Sequence, residues 1–131
     1  MPDFSLQHID HVAITVTDLE ASVEWYRRVL GLEQQDHGWE YPQMMAAGDT
    51  AVALFPPSGP DPARMSDAER NAKLTTRHFA FRVDRANFEA AQASFKEQGI
   101  DFEFADHGVA HSIYIEDPDG HKIELTTYDL P

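Results

Sequence analysis

Apolar and polar positions alternate in two stretches of this chain that read alike. His11-Val-Ala-Ile-Thr-Val16 and His78-Phe-Ala-Phe-Arg-Val83 both follow the order His-apolar-Ala-apolar-x-Val, the period-two pattern of a half-buried strand. A helical period begins shortly after each. Leu19, Val23, Tyr26 and Leu30 form one apolar stripe in the first copy, as do Phe88, Ala91 and Phe95 in the second. Thr17 with Glu20 has the form of a capping box, and Asp84 is the expected cap of the second helix. Gly31 and Gly99 stand where a left-handed residue closes a helix. Three short alternating segments follow in each half, at roughly 32–39, 42–47 and 50–55, then 101–106, 110–116 and 121–127. Each half therefore predicts a βαβββ unit. The whole reads as an α+β fold of two tandem βαβββ modules, about 6–56 and about 76–128, making a single domain over 1–131.

The linker of about 57–75 follows Pro56 in a run reading Pro-Pro-Ser-Gly-Pro-Asp-Pro. Proline removes backbone donors and fixes φ, so this is a connecting loop, with one helical turn expected around 65–73. Strand periodicity also assigns faces. His11, Ala13 and Thr15 share one face of the first strand, and His78, Ala80 and Arg82 share the matching face of its repeat. Opposite them lie purely apolar faces suited to pack on the helices. Near the C-terminus, Asp117-Pro-Asp-Gly120 has the chemistry of a turn. It joins two strands on which Tyr114 and Glu124 fall on one polar face.

Composition narrows the function. The 131 residues carry 23 Asp plus Glu against 10 Lys plus Arg, a net charge of −13. That charge repels phosphate backbones and anionic lipid, so neither nucleic acid nor membrane is an expected partner. With no cysteine, disulfides and thiolate ligands are excluded. No run approaches the ~20 apolar residues of a membrane span. The start Met1-Pro2-Asp3-Phe4 lacks the pattern of a signal peptide, so a cytoplasmic protein is expected.

Two imidazoles and one carboxylate on equivalent faces of the repeat suggest a metal site. His11, His78 and Glu124 suit one first-row divalent ion and leave open positions for substrate. Calcium would call for more oxygen donors.

These features resemble the vicinal oxygen chelate superfamily, which includes glyoxalase I, extradiol dioxygenases, fosfomycin-modifying enzymes and bleomycin-resistance proteins. The resemblance covers nearly the whole chain. It rests on Ile9-Asp10-His11-Val12-Ala13, the helix from Asp18 to Gly31, Arg77-His78-Phe79-Ala80-Phe81, and Asp117-Pro-Asp-Gly-His-Lys-Ile-Glu124-Leu125. It implies curved mixed sheets around a metal-binding cleft, with His11 as the ligand of the first module and His78 and Glu124 as those of the second. A fourth ligand position of the superfamily falls on Ala53, leaving a two-His-one-Glu set. Tyr114 matches a tyrosine whose hydroxyl donates to the substrate. Extradiol enzymes also carry an acid–base histidine in the loop before that strand, a place open to His107 or His111, with His107 preferred.

Extradiol-dioxygenase-like chemistry on a small molecule with adjacent oxygens is the leading expectation, with iron or manganese as the ion and zinc or nickel as alternatives. Fosfomycin-type enzymes surround a phosphonate with Lys and Arg, and residues 102–113 hold neither. A glyoxalase-type isomerase or fosfomycin-type thiol transferase is the second reading, and a non-catalytic drug-binding module the third. Relatives of this length imply a homodimer, in which the metal site is completed within one chain or across two.

Overall fold

The sequence repeat is a repeat of structure. The computed structural model of the chain describes residues 3–58, 66–73 and 75–131. Its elements are β1 (His11–Thr15), α1 (Leu19–Leu30), β2 (Glu33–Gln35), β3 (Gln43–Ala47), β4 (Thr50–Phe55), α2 (Asp67–Ala72), β5 (Phe79–Arg82), α3 (Arg85–Gln98), β6 (Glu103–Asp106), β7 (His111–Glu116) and β8 (Lys122–Thr127). They divide into two compact units, Met1–Pro62 and Ala63–Pro131. Each unit has one four-stranded mixed sheet, ordered β1-β4-β3-β2 in the first and β5-β8-β7-β6 in the second, with α1 in the first unit and α2 and α3 in the second. The outer strands β1 and β5 run parallel to β4 and β8, while the remaining pairs are antiparallel. This is the expected α+β architecture of duplicated βαβββ units.

The local signals explain most boundaries. Asp84 caps α3 by accepting from Asn87 N, and Gly31 and Gly99 close α1 and α3 with φ of 68° and 71°, a conformation open to glycine at little cost. The start of α1 differs from expectation. Its cap is Asp18, whose carboxylate accepts from Ala21 N at 3.0 Å, instead of Thr17. An ionised acceptor suits the positive end of a helix better than a hydroxyl does. The deepest line of α1 is Ser22, Trp25, Tyr26 and Val29, offset from the predicted stripe, whose Leu19, Val23 and Leu30 are half-buried. Trp25 packs edge-on to Tyr26, with ring centroids 5.0 Å apart.

Strand β2 stops well short of residue 39. Asp36 turns back to accept from Gly38 N at 2.8 Å, and a cis Tyr41–Pro42 bond precedes β3. A side chain that bonds its own backbone competes with a sheet ladder.

In the second unit Phe88 and Phe95 of α3 are buried together with Ile113, Ile115 and Ile123. Full burial of one such side chain contributes roughly 1.5–3 kcal/mol. The apolar faces of β7 and β8 thus pack as a core, and their opposite face is left to polar groups. On the predicted apolar faces of the two His-led repeats, by contrast, only Val16 is buried, and Val12, Ile14, Phe79, Phe81 and Val83 are half-buried. Residues 59–65 of the linker lie outside the described residues, but its later part forms α2 as expected. Ser66 and Glu69 make a reciprocal capping box at its start. Among the described residues no helix is long and apolar enough to cross a membrane.

Candidate metal centre

Glu124 occupies the strand that binds the second sheet together. β8 lies between β5 and β7, and Glu124 is in register with Ala80 on one side and Tyr114 on the other. His78 stands just before β5. Its Nε2 is 3.0 Å from Glu124 Oε1. The other carboxylate oxygen, Oε2, accepts from Ser112 Oγ at 2.5 Å, and Ser112 Oγ is also 3.1 Å from Thr126 Oγ1. Ser112 is fully buried and Glu124 only 8% exposed, so this carboxylate has one oxygen held and one turned to an imidazole.

Tyr114 completes the face. Its ring meets His78 edge-on at 5.8 Å. Its hydroxyl is 2.9 Å from His107 Nε2. His107 is presented by a tight turn in which its own N–H donates to Ala110 O and Gly108 N–H donates to Asp106. Burial, with the charge of Glu124 second, holds the Tyr114 hydroxyl above the ordinary phenol range. At neutral pH it therefore keeps its proton and can donate it. His107 is the histidine that reaches Tyr114, whereas His111 turns toward Arg85, with Nδ1 2.9 Å from Arg85 Nη2.

His11 opens β1 in the first unit. Its Nδ1 is 2.8 Å from Asp10 Oδ2. Donation of Nδ1–H to this carboxylate leaves the Nε2 lone pair available for a metal, the arrangement common among ligating histidines. Ala53 lies buried in β4 and offers no donor. Among the described residues no three His, Asp or Glu side chains stand together as a ready-made metal set. The second unit by itself brings together two of the three predicted donors, plus the Tyr114–His107 pair.

The donor chemistry fits a divalent ion. The atoms of His78 and Glu124 that face each other are an imidazole nitrogen and a carboxylate oxygen, and the remaining oxygen of Glu124 is oriented by a buried hydroxyl. Such outer hydrogen bonds fix the geometry of ligating side chains.

Several neighbours escaped sequence reasoning. A recess of about 210 Å³ beside His78 and Tyr114 is lined by Asp67, Asn71, Arg77 and Lys122. Lys122 Nζ is 2.8 Å from Asp67 Oδ2 and stands 5.8 Å from the centre of the Tyr114 ring. The Lys122 ammonium holds the Asp67 carboxyl below its usual range. Arg77 and Lys122 lie beside His78 and Glu124 in the sequence, outside residues 102–113, which hold no Lys or Arg. Nothing in the sequence pointed to Asp67. Arg82, which shares the face of His78, lies instead over the Tyr128 ring at 4.8 Å.

Residues 8–125 match the glyoxalase/bleomycin resistance protein/dioxygenase superfamily. The chain belongs to this superfamily. Within it, the chain is 31% identical over 120 residues to a glutathione transferase, FosA, of Serratia marcescens, covering 92% of this chain and 80% of that protein. It is 29% identical over 119 residues to a catechol-2,3-dioxygenase of Bacillus subtilis, covering 90% of this chain but 40% of the dioxygenase. A glyoxalase/dioxygenase structure from Nostoc punctiforme superposes with a TM-score of 0.77 at 24% identity, covering 100% of this chain and 97% of the other. That likeness shows the superfamily fold. The relatives at 29% and 31% identity thus carry different activities in their names, a catechol-2,3-dioxygenase and a glutathione transferase.

Proposed function

We propose that this chain is a divalent-metal-dependent enzyme of the extradiol dioxygenase kind, acting on a small molecule with adjacent oxygens. His78 and Glu124 would hold the ion with His11, contributed by the same chain or by a second copy. Iron(II) or manganese(II) suits two imidazoles and one carboxylate, and an ion so held supplies Lewis-acid character that lowers the pKa of adjacent hydroxyls.

The observation that carries this reading is the 2.9 Å contact of Tyr114 Oη with His107 Nε2, directly across the ladder from Glu124. Tyr114 donates to a substrate oxygen, and His107 takes or returns the proton at that hydroxyl. A phenol–imidazole pair of this kind moves protons at neutral pH. Ser112 holds Glu124 in place while this happens. The B. subtilis dioxygenase supports the reading by its likeness over 90% of this chain.

A thiol transferase is the second reading. It is favoured by Arg77 and Lys122 in the recess, which supply the positive charge that residues 102–113 lack, and by the likeness to the Serratia glutathione transferase.

The test is metal analysis of purified wild-type and His78→Ala protein, followed by catechol addition without oxygen and then with it. Metal in the wild type alone, and oxygen uptake matching loss of the catechol, is the expected result. Conjugation of glutathione to an epoxide with no oxygen uptake would replace this reading by the second. Equal metal in both proteins would remove the site assignment.

A further inference from the structure

The recess beside His78 raises a question of charge. In a chain of net charge −13 with only 10 Lys plus Arg, two cations, Arg77 and Lys122, line one small cavity. Its single carboxylate is Asp67. We propose that this recess is an anion subsite, in which Arg77 and Lys122 grip a carboxylate or phosphonate arm of the substrate after Lys122 leaves Asp67. The proposal rests on the reading of His78, Glu124 and Tyr114 as the reaction centre, and it names the class of substrate as a small molecule bearing an oxyanion.

The exchange is feasible because Asp67 has two cationic partners. Its Oδ2 faces Lys122 at 2.8 Å, while its Oδ1 accepts from Arg70 at 2.6 Å. Arg70 is buried and also donates to the carbonyl of Gly120. Departure of Lys122 therefore leaves Asp67 paired and α2 anchored, so no carboxylate is stranded. Lys122 has the flexible stem needed to swing between two anions, and its ammonium already stands over Tyr114. Arg77 is exposed and has no ion-pair partner among the described residues. Its planar fork matches two oxygens of a carboxylate or phosphonate. Asn71 adds a neutral donor. A volume of about 210 Å³ is below the ~300–1,000 Å³ that whole drug-sized ligands take. It suits one acidic substituent whose parent ring or chain lies toward His78.

Titration of phenylphosphonate, phenylacetate and benzyl alcohol into the full chain as purified, followed by NMR shifts of the His78 and Tyr114 resonances, tests the subsite. At least one anion should bind about tenfold or more tightly than the alcohol, since charge-assisted hydrogen bonds are worth that factor. Arg77→Ala and Lys122→Met should each weaken the anion roughly tenfold. Asp67→Asn should tighten it, because Lys122 is then released. The opposite sign of the Asp67 and Lys122 variants separates anion binding from mere anchoring of α2, in which both would weaken it. Anions and alcohol bound alike, or not at all, or the two variants failing together, overturns the proposal. The titration reads neither metal retention nor oxygen uptake, so the subsite and the dioxygenase reading stand or fall separately.

Discussion

Ser112 is fully buried, and its one clear task is to hold Glu124 Oε2 at 2.5 Å. Removing that hydroxyl leaves Glu124 free to rotate, and an oxygen that loses its orienting bond is a poorer ligand. On the proposed metal site, Ser112→Ala is expected to lower affinity for manganese or iron about 10- to 100-fold with the fold intact, the usual cost of losing a partner behind a metal ligand. Calorimetric titration of both proteins checks this, and equal affinities would show that Ser112 only fills space. The histidines were readable because the repeat placed both in one pattern. Ser112 was readable only as a polar residue on the face of Tyr114. Its bond to Glu124 depends on the β7–β8 register, which no local signal specifies.

The linker shows the same division among elements. Its proline-rich start predicted a loop and its later part a helical turn, and α2 forms there with a Ser66–Glu69 capping box. What the sequence did not reveal is that α2 is anchored to the β7–β8 turn through Arg70 and Gly120, and to Lys122 through Asp67. Two carboxyls of α2 lie below their usual values, Asp67 chiefly through the hydrogen bond from Lys122 and Glu69 chiefly through the backbone of Ser66. A carboxyl depressed on folding stabilises fully above its unfolded pKa, and that contribution is lost as pH falls through its folded value. Hydrogen-exchange protection of the Arg70 amide, which donates to Ser66 O at 2.9 Å, should therefore fall between about pH 5 and about pH 3. Protection that stays constant across that range would show that the anchor does not depend on these carboxylates.

For the whole molecule, a net charge of −13 on 131 residues means strong self-repulsion. Raising ionic strength from about 0.01 M to about 0.5 M shortens the screening length from ~30 Å to below ~8 Å, so the thermal midpoint should rise with added sodium chloride. Calorimetry that shows a fall instead would mean that the Arg70, Asp67 and Lys122 pairs outweigh the repulsion. The duplicated βαβββ plan, the helix closures at Gly31 and Gly99 and the polar faces carrying His11, His78, Tyr114 and Glu124 were all determined by the sequence. Each follows from local periodicity or from the backbone preference of a single residue. The tertiary structure alone decided that Glu124 sits between His78 and Ser112, that His107 rather than His111 meets Tyr114, and that Arg77 and Lys122 share a recess with Asp67. Those facts depend on strand order and register, where side chains distant in sequence are brought within a few ångströms by the pairing of whole strands.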